Sequence, residues 1–150
     1  MIQKRTLLTA VKILFLLSVQ PLIAQNPSFD WARQMGSISN DYGISLVIDK
    51  NENSYTTGSF RGTVDFDPGI GTNILSTSPF GIPDIFVQKL DVNGNLLWAK
   101  RMGGTSYDAG ASIAVDDFGN VFVTGIFFGT ADFDPGSGMA ILSCRELLLN

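Results

Sequence analysis

The pentapeptide Asp-Phe-Asp-Pro-Gly occurs twice in this chain, as Asp65–Gly69 and Asp132–Gly136. Carboxylates at i and i+2 of an extended segment point to the same side, and Pro-Gly can turn backbone carbonyls toward them. Oxygen donors of this kind suit a hard cation, which makes Asp65, Asp67, Asp132 and Asp134 the candidate calcium ligands. Two carboxylates are a thin shell for an ion that takes roughly six to eight oxygens, and the twelve-residue calcium-loop pattern is absent. The second reading is structural: the acids accept hydrogen bonds from turn amides while Pro and Gly fix the loop. DKNEN (Asp49–Asn53) and DVNGN (Asp91–Asn95) look superficially like calcium loops too, but their placement between strand-like runs makes them hairpin turns.

Catalytic chemistry finds little support. Glycoside hydrolysis needs two carboxyls with different environments beside one bond. Here the acids recur at equivalent positions, Asp41 with Asp108, Asp49 with Asp116 and Asp65 with Asp132. A ring uses one active site but many identical turns, so repetition points to architecture, and no catalytic residue is assigned. Histidine is absent and Cys144 is the single cysteine. That removes imidazole-based triads, zinc sites built on His or paired Cys, and an intrachain disulfide. Trp31 and Trp98 end equivalent runs and read as packing residues, with sugar stacking as the alternative. Tyr42, Tyr107 and Phe80 fall nearer loops and are the better candidates for ligand contact.

What positions these residues is a repeat. Trp31–Ser76 aligns with Trp98–Ser143 without a gap, 67 positions apart, with 24 of 46 residues identical. Each copy consists of short alternating runs with no 3.6-residue apolar spacing. The expected strands are Ile44–Asp49, Ser54–Phe60, Asp84–Leu90 and Leu96–Met102, with Ala111–Asp116 and Val121–Phe127 repeating the first two. Four antiparallel strands per unit is the count of one propeller blade, and apolar residues on both faces suit a sheet lying between neighbouring sheets. The unit exceeds a common blade by an insert, Gly62–Pro83, in which Asn73–Ser78 offers a further short edge strand. Inserts in repeat proteins collect on one face, often the binding face. Phe29–Met35 corresponds to the fourth strand of a preceding blade.

The chain opens with Lys4 and Arg5, an apolar run from Leu7 to Val19 and a small residue at Ala24. This is the pattern of a signal peptide over residues 1–24, too short and interrupted for the roughly 20 apolar residues of a membrane span. The mature chain from Gln25 is expected to be exported and without a transmembrane segment. Its removal takes away Lys4, Arg5 and Lys12 but no acid, leaving 7 basic and 14 acidic side chains and a net charge of −7. Nucleic-acid binding is disfavoured, because phosphate contact needs clustered cations.

The combination of Asp116, Gly119, Asn120, Phe122, Thr124, Gly125, Trp98, Ala99 and Lys100 resembles the blade of secreted bacterial β-propeller repeat proteins, the SBBP-type repeats of Bacteroidetes-like bacteria. The first copy carries Asp49, Asn53, Tyr55, Thr57, Gly58, Trp31 and Ala32, with Glu52 in place of the Gly and Arg33 in place of the Lys. The resemblance covers nearly all of Phe29–Ser143. It implies an exported or surface-attached propeller without an established enzymatic activity, often part of a larger polypeptide.

The expectation is therefore an all-β chain: a signal peptide (1–24), a β-propeller fragment (25–143, with a complete unit at 31–97 and a partial unit at 98–143) and a divergent tail (144–150). About one complete four-stranded blade is expected with partial blades beside it. Because CRELLLN does not continue the repeat, truncation of a longer propeller is expected, with self-association through open blade edges. The functional reading is a non-catalytic binding or scaffolding module, secreted or at the cell surface, whose partner is a protein or a glycan and which needs no cofactor. The alternatives are a hydrolase of extracellular polysaccharide, a calcium-dependent glycan-binding module, and a truncated gene product without independent function.

Overall fold

The computed structural model describes residues 29–78 and 81–144. The expected signal peptide, Phe80 and most of the divergent tail lie outside them. Among the described residues every regular element is a strand. Strands β1 (Tyr42–Ile48), β2 (Ser54–Phe60), β5 (Asp84–Leu90) and β6 (Leu96–Gly104) form one antiparallel blade in that order. β2 and β5 pair in unbroken register from Ser54↔Leu90 to Phe60↔Asp84. In the second repeat, β7 (Asp108–Val115) pairs with β8 (Val121–Phe127).

The hairpins close on one repeated device, an Asp whose carboxylate organises the four residues after it. Asp49 Oδ1 accepts the amides of Asn51 and Asn53, and its Oδ2 accepts the Asn53 side-chain amide at 2.9 Å. Asp91 with Asn93 and Asn95, and Asp116 with Phe118 and Asn120, reproduce the same three bonds. This is why β1 and β7 end at Ile48 and Val115, one residue before the expected Asp49 and Asp116: the acids belong to the turns. The strands also start earlier than expected, at Tyr42 and Asp108, because pairing continues past a bulge at Gly43/Ser45 and at Gly110/Ser112.

The insert forms a hairpin rather than a lone edge strand: β3 (Thr63–Asp65) pairs with β4 (Ile74–Ser76). Its second copy, β9 (Thr130–Asp132) with β10 (Ile141–Ser143), does the same and docks on β6 through Gly103↔Asp132 and Gly104↔Ala131. The sheet therefore runs β1-β2-β5-β6-β9-β10, and the Gly103–Gly104 end of the blade's outer edge, expected to be open, is occupied. Phe29–Met35 is not a strand, since no described strand stands beside it to complete a ladder. It is held instead by single bonds, Trp31 Nε1 to the Val92 carbonyl and Arg33 Nε to that of Gly94.

Two apolar clusters flank the blade. On the back, Phe60, Val64, Phe66, Phe86 and Ala99 join the insert hairpin to β2, β5 and β6, with Phe60 and Phe66 edge to face at 5.2 Å. On the front, Tyr55, Val87 and Ile113 join the blade to β7, with Val47, Trp98, Met102, Val115, Val121 and Val123 around them. Trp98 packs edge-on against Tyr55 at 6.0 Å, as a packing residue should. Among the described residues the blade thus has a sheet on one face, and its own insert hairpin over part of the other.

Candidate functional site

The repeated acids are engaged in holding the backbone. Asp65 Oδ1 accepts the amides of Asp67 and Asn73, and Asp67 Oδ1 accepts that of Gly69 at 2.7 Å. Asp132 and Asp134 do the same with Asp134, Ala140 and Gly136. These bonds hold the carboxyls of Asp65 and Asp132 below their ordinary range, the Asn73 and Ala140 amides contributing most. No group of three acids, cysteines or histidines able to hold a metal occurs among the described residues. The donor set fits a hydrogen-bonded turn better than calcium, which would need several more oxygens around each pair. Gln88 secures the loop from below, donating to the Phe66 carbonyl at 2.7 Å.

Asp41 and Asp108 have an equivalent duty. Asp41 accepts from the amides of Ser37 and Arg61, and Asp108 from those of Gly104 and Phe128, so each ties the crossing between units to the end of the second strand. Asp108 is fully buried beside Asp84. A Cβ on Gly103 would stand 2.4 Å from Asp84 Oδ1 and 2.9 Å from Asp108 Oδ2, so the two carboxyls converge on the space that glycine leaves. Arg101 Nε donates to Asp84 Oδ2, whereas Asp84 Oδ1 has no hydrogen-bond partner among the described residues. Burial is the largest influence on both carboxyls and pushes them up; Arg101 opposes it at each, and Asp108 adds repulsion at Asp84. Both side chains are fully buried, and the Asp108 amide donates to the Pro83 carbonyl at 2.9 Å, which joins the start of β7 to that of β5.

The residues with side chains free to meet a ligand lie elsewhere. Tyr42 and Tyr107, 65 positions apart in sequence, line one cleft of about 490 Å³ together with Asn40, Gly43, Ile44, Ser59, Arg61 and Pro83. Both tyrosines are exposed, and Tyr107 meets Phe128 at 6.4 Å between ring centres. The cleft sits where the insert leaves β2 and rejoins β5, at the junction of the two repeats. Aromatic rings beside Asn and Arg side chains are the chemistry for flat apolar sugar faces and for peptide groups. Arg61, Asn40 and Pro83 are not anticipated from the sequence, although Arg61 and Asn40 fall where the copies differ. A second concavity, of about 650 Å³, runs between the two insert hairpins, lined by Thr72–Ser76 on one side and Asp132, Asp134 and Gly136 on the other, with Lys100 and Arg101 at its floor. It brings the second Asp-Phe-Asp-Pro-Gly loop, but not the first, to the surface expected of the inserts.

Comparison with known proteins agrees with this architecture. Residues 30–59 and 97–125 match the SBBP beta-propeller repeat family. An uncharacterized WD repeat-containing protein of Acanthamoeba polyphaga mimivirus is 31% identical over 121 residues, which is 73% of this chain and 9% of that protein. The chain thus spans under a tenth of the length of that relative. No solved structure matches the chain. Both matched stretches run from the Trp segment, a strand only in the second copy, through the Asp turn to the Thr-Gly strand, and by them the chain carries two beta-propeller repeats similar to those of the SBBP family.

Proposed function

We propose that this chain is an exported, non-catalytic binding module whose contact surface is the cleft of Tyr42 and Tyr107, and that its partner is a glycan or a protein at the cell exterior. One observation carries the reading. Under the 67-residue shift, Tyr42 corresponds to Ala109, Tyr107 to Asn40 and Arg61 to Phe128, so the cleft is built where the two copies depart from one another. The acids that recur are engaged by turns and crossings, which favours a binding role over hydrolysis. The beta-propeller repeats and the WD-repeat relative support a binding or scaffolding role, and the pattern of residues 1–24 supports export.

The test is a glycan and peptide array probed with the chain and with Tyr42→Ala and Tyr107→Ala. Loss of a bound class in both variants, with melting unchanged, supports the cleft. Undiminished binding by both variants would move the contact surface elsewhere.

A further inference from the structure

Two exposed faces of this fold are the two halves of an interface that already exists inside it. The front of the blade, with Val47, Tyr55 and Val87, packs on the back of the β7–β8 hairpin, with Ile113, Val115, Val121 and Val123. Shifting by 67 residues turns the part of each half that lies on β1–β2 or β7–β8 into an outer surface. Ile113 and Val115 map back onto Leu46 and Ile48 on the back of β1, and Val121 and Val123 onto Ser54 and Thr56 on the back of β2, while Val47 and Tyr55 map forward onto Ala114 and Phe122, on the front of β7–β8. Inside the interface Tyr55 is 1% and Ile113 7% exposed; their outer equivalents are at 58% for Phe122 and 60% for both Leu46 and Ile48.

We propose that the front of β7–β8 in one copy of this chain docks on the back of β1–β2 in a second copy, so that the contact between molecules repeats the contact between repeats. The occupant follows from the pairing. Leu46 in the place of Ile113 keeps the volume, Ile48 in the place of Val115 adds a methylene, and Phe122 in the place of Tyr55 loses only a hydroxyl, so the large side chains of the inner contact are kept in the outer one, while its smaller positions become Ala114, Ser54 and Thr56. Polar contacts agree with the match. Inside the chain Lys50 Nζ donates to the Asp117 carbonyl at 2.9 Å, and these two residues are themselves 67 apart. Between copies Asp117 therefore takes the position of Lys50 and meets the turn that carries Lys50 of the next copy, which sets opposite charges face to face. The two faces differ, so the association is head to tail: it closes into a ring if the rotation between copies allows and extends otherwise.

The experiment is native mass spectrometry with sedimentation of the purified chain, of Leu46→Glu/Ile48→Glu and of Phe122→Glu. These side chains are more than half exposed, and circular dichroism verifies that each variant keeps its strands. Where a variant does not fold, the milder Leu46→Thr or Phe122→Thr replaces it. The chain is expected to form oligomers, and each variant alone to be monomeric. An equimolar mixture should give a one-to-one dimer and nothing larger, because each variant retains the face that the other has lost. A monomeric unsubstituted chain at micromolar concentration overturns the proposal. So does a variant that still dimerises by itself, which would mean that one face pairs with its own copy, and so does a mixture that stays monomeric.

Discussion

Replacing Glu52 by glycine should stabilise the protein, although Glu52 touches the surface only. Three turns share one geometry, Asp49–Asn53, Asp91–Asn95 and Asp116–Asn120, each closed by the amide of its fourth residue on the Asp carbonyl at 2.9 to 3.0 Å. That fourth residue is left-handed in all three: φ is +75° at Gly94, +85° at Gly119 and +63° at Glu52, which has positive φ while carrying a side chain. Holding a side-chain-bearing residue there costs about 1–2 kcal/mol. Glycine removes this cost but brings about 0.5–1 kcal/mol of extra freedom in the unfolded chain. The net expectation for Glu52→Gly is a gain of about 0.5–1 kcal/mol, or a urea midpoint raised by about 0.3–0.7 M at an unchanged slope of about 1.5 kcal/mol/M. The reverse substitution calibrates it. A Cβ at Gly119 meets nothing within 4 Å, so Gly119→Ala should lose about 1 kcal/mol from backbone strain alone. Gly94→Ala should lose more, since its Cβ would stand 2.9 Å from the Trp31 ring. Urea titrations followed by tryptophan fluorescence give the order directly. A neutral or destabilising Glu52→Gly beside a costly Gly119→Ala would refute the strain argument.

Three further outcomes follow from the same structure. Gly110→Ala should destabilise by about 1–3 kcal/mol, because its Cβ would stand 2.2 Å from Thr57 Oγ1 where β7 crosses β2; a double-mutant cycle with Thr57→Ala should show recovery of part of that loss. The pH dependence should have two opposed arms. The carboxyls of Asp49, Asp65, Asp91, Asp116 and Asp132 are held down by hydrogen bonds, so their stabilisation is present above the unfolded pKa of about 3.9 and disappears as pH falls through the folded values. Asp84 and Asp108 are pushed up by burial, so their contribution is complete below the unfolded pKa and is lost as pH rises through the folded ones. Urea midpoints measured from pH 3 to pH 7 should therefore fall less on acidification in Asp116→Asn than in the unsubstituted chain, and an unchanged profile would contradict the assignment. Calcium should leave the thermal midpoint unaltered, and Asp65→Asn should lower it equally with and without the ion; a calcium-dependent rise would restore the ligand reading of Asp65 and Asp67.

How much could be read from residues alone depended on whether a local rule governed them. β2, β5 and β8 have the expected bounds because alternation and flanking turn residues fix them. The ends of β1 and β7 slipped because Asp49 and Asp116 satisfy the strand pattern and the turn chemistry equally well, and only the hydrogen bonds decide. The partner strand β3 was missed, since Thr63–Asp65 is too short to carry a period; what makes it a strand is its pairing with Ile74–Ser76 and the burial of Val64. Phe29–Met35 shows the opposite failure. Its sequence copies that of β6, yet a strand exists only where another strand pairs with it, and none of the strands among the described residues does. For the site, Tyr42 and Tyr107 were identified singly, but nothing local announces that a bulged first strand and a crossing loop will open on the same cleft.

The repeat itself separates two kinds of residue. A position that serves every blade is under the same physical demand in each, and in this chain the shared acids Asp41, Asp49, Asp65 and their second copies all answer to backbone amides. Where the demand is not architectural the copies diverge: Tyr42 and Arg61 open a cleft, whereas Ala109 and Phe128 at the same positions do not line it. The same comparison reads the faces. Leu46 and Ile113 are both large and apolar although one is exposed and the other buried, so the outer position still meets the requirement of an interior one. A solvent-facing strand free of that requirement would accept polar residues every second place. β1 instead presents Leu46 and Ile48, which is the composition of a surface that spends its working life covered.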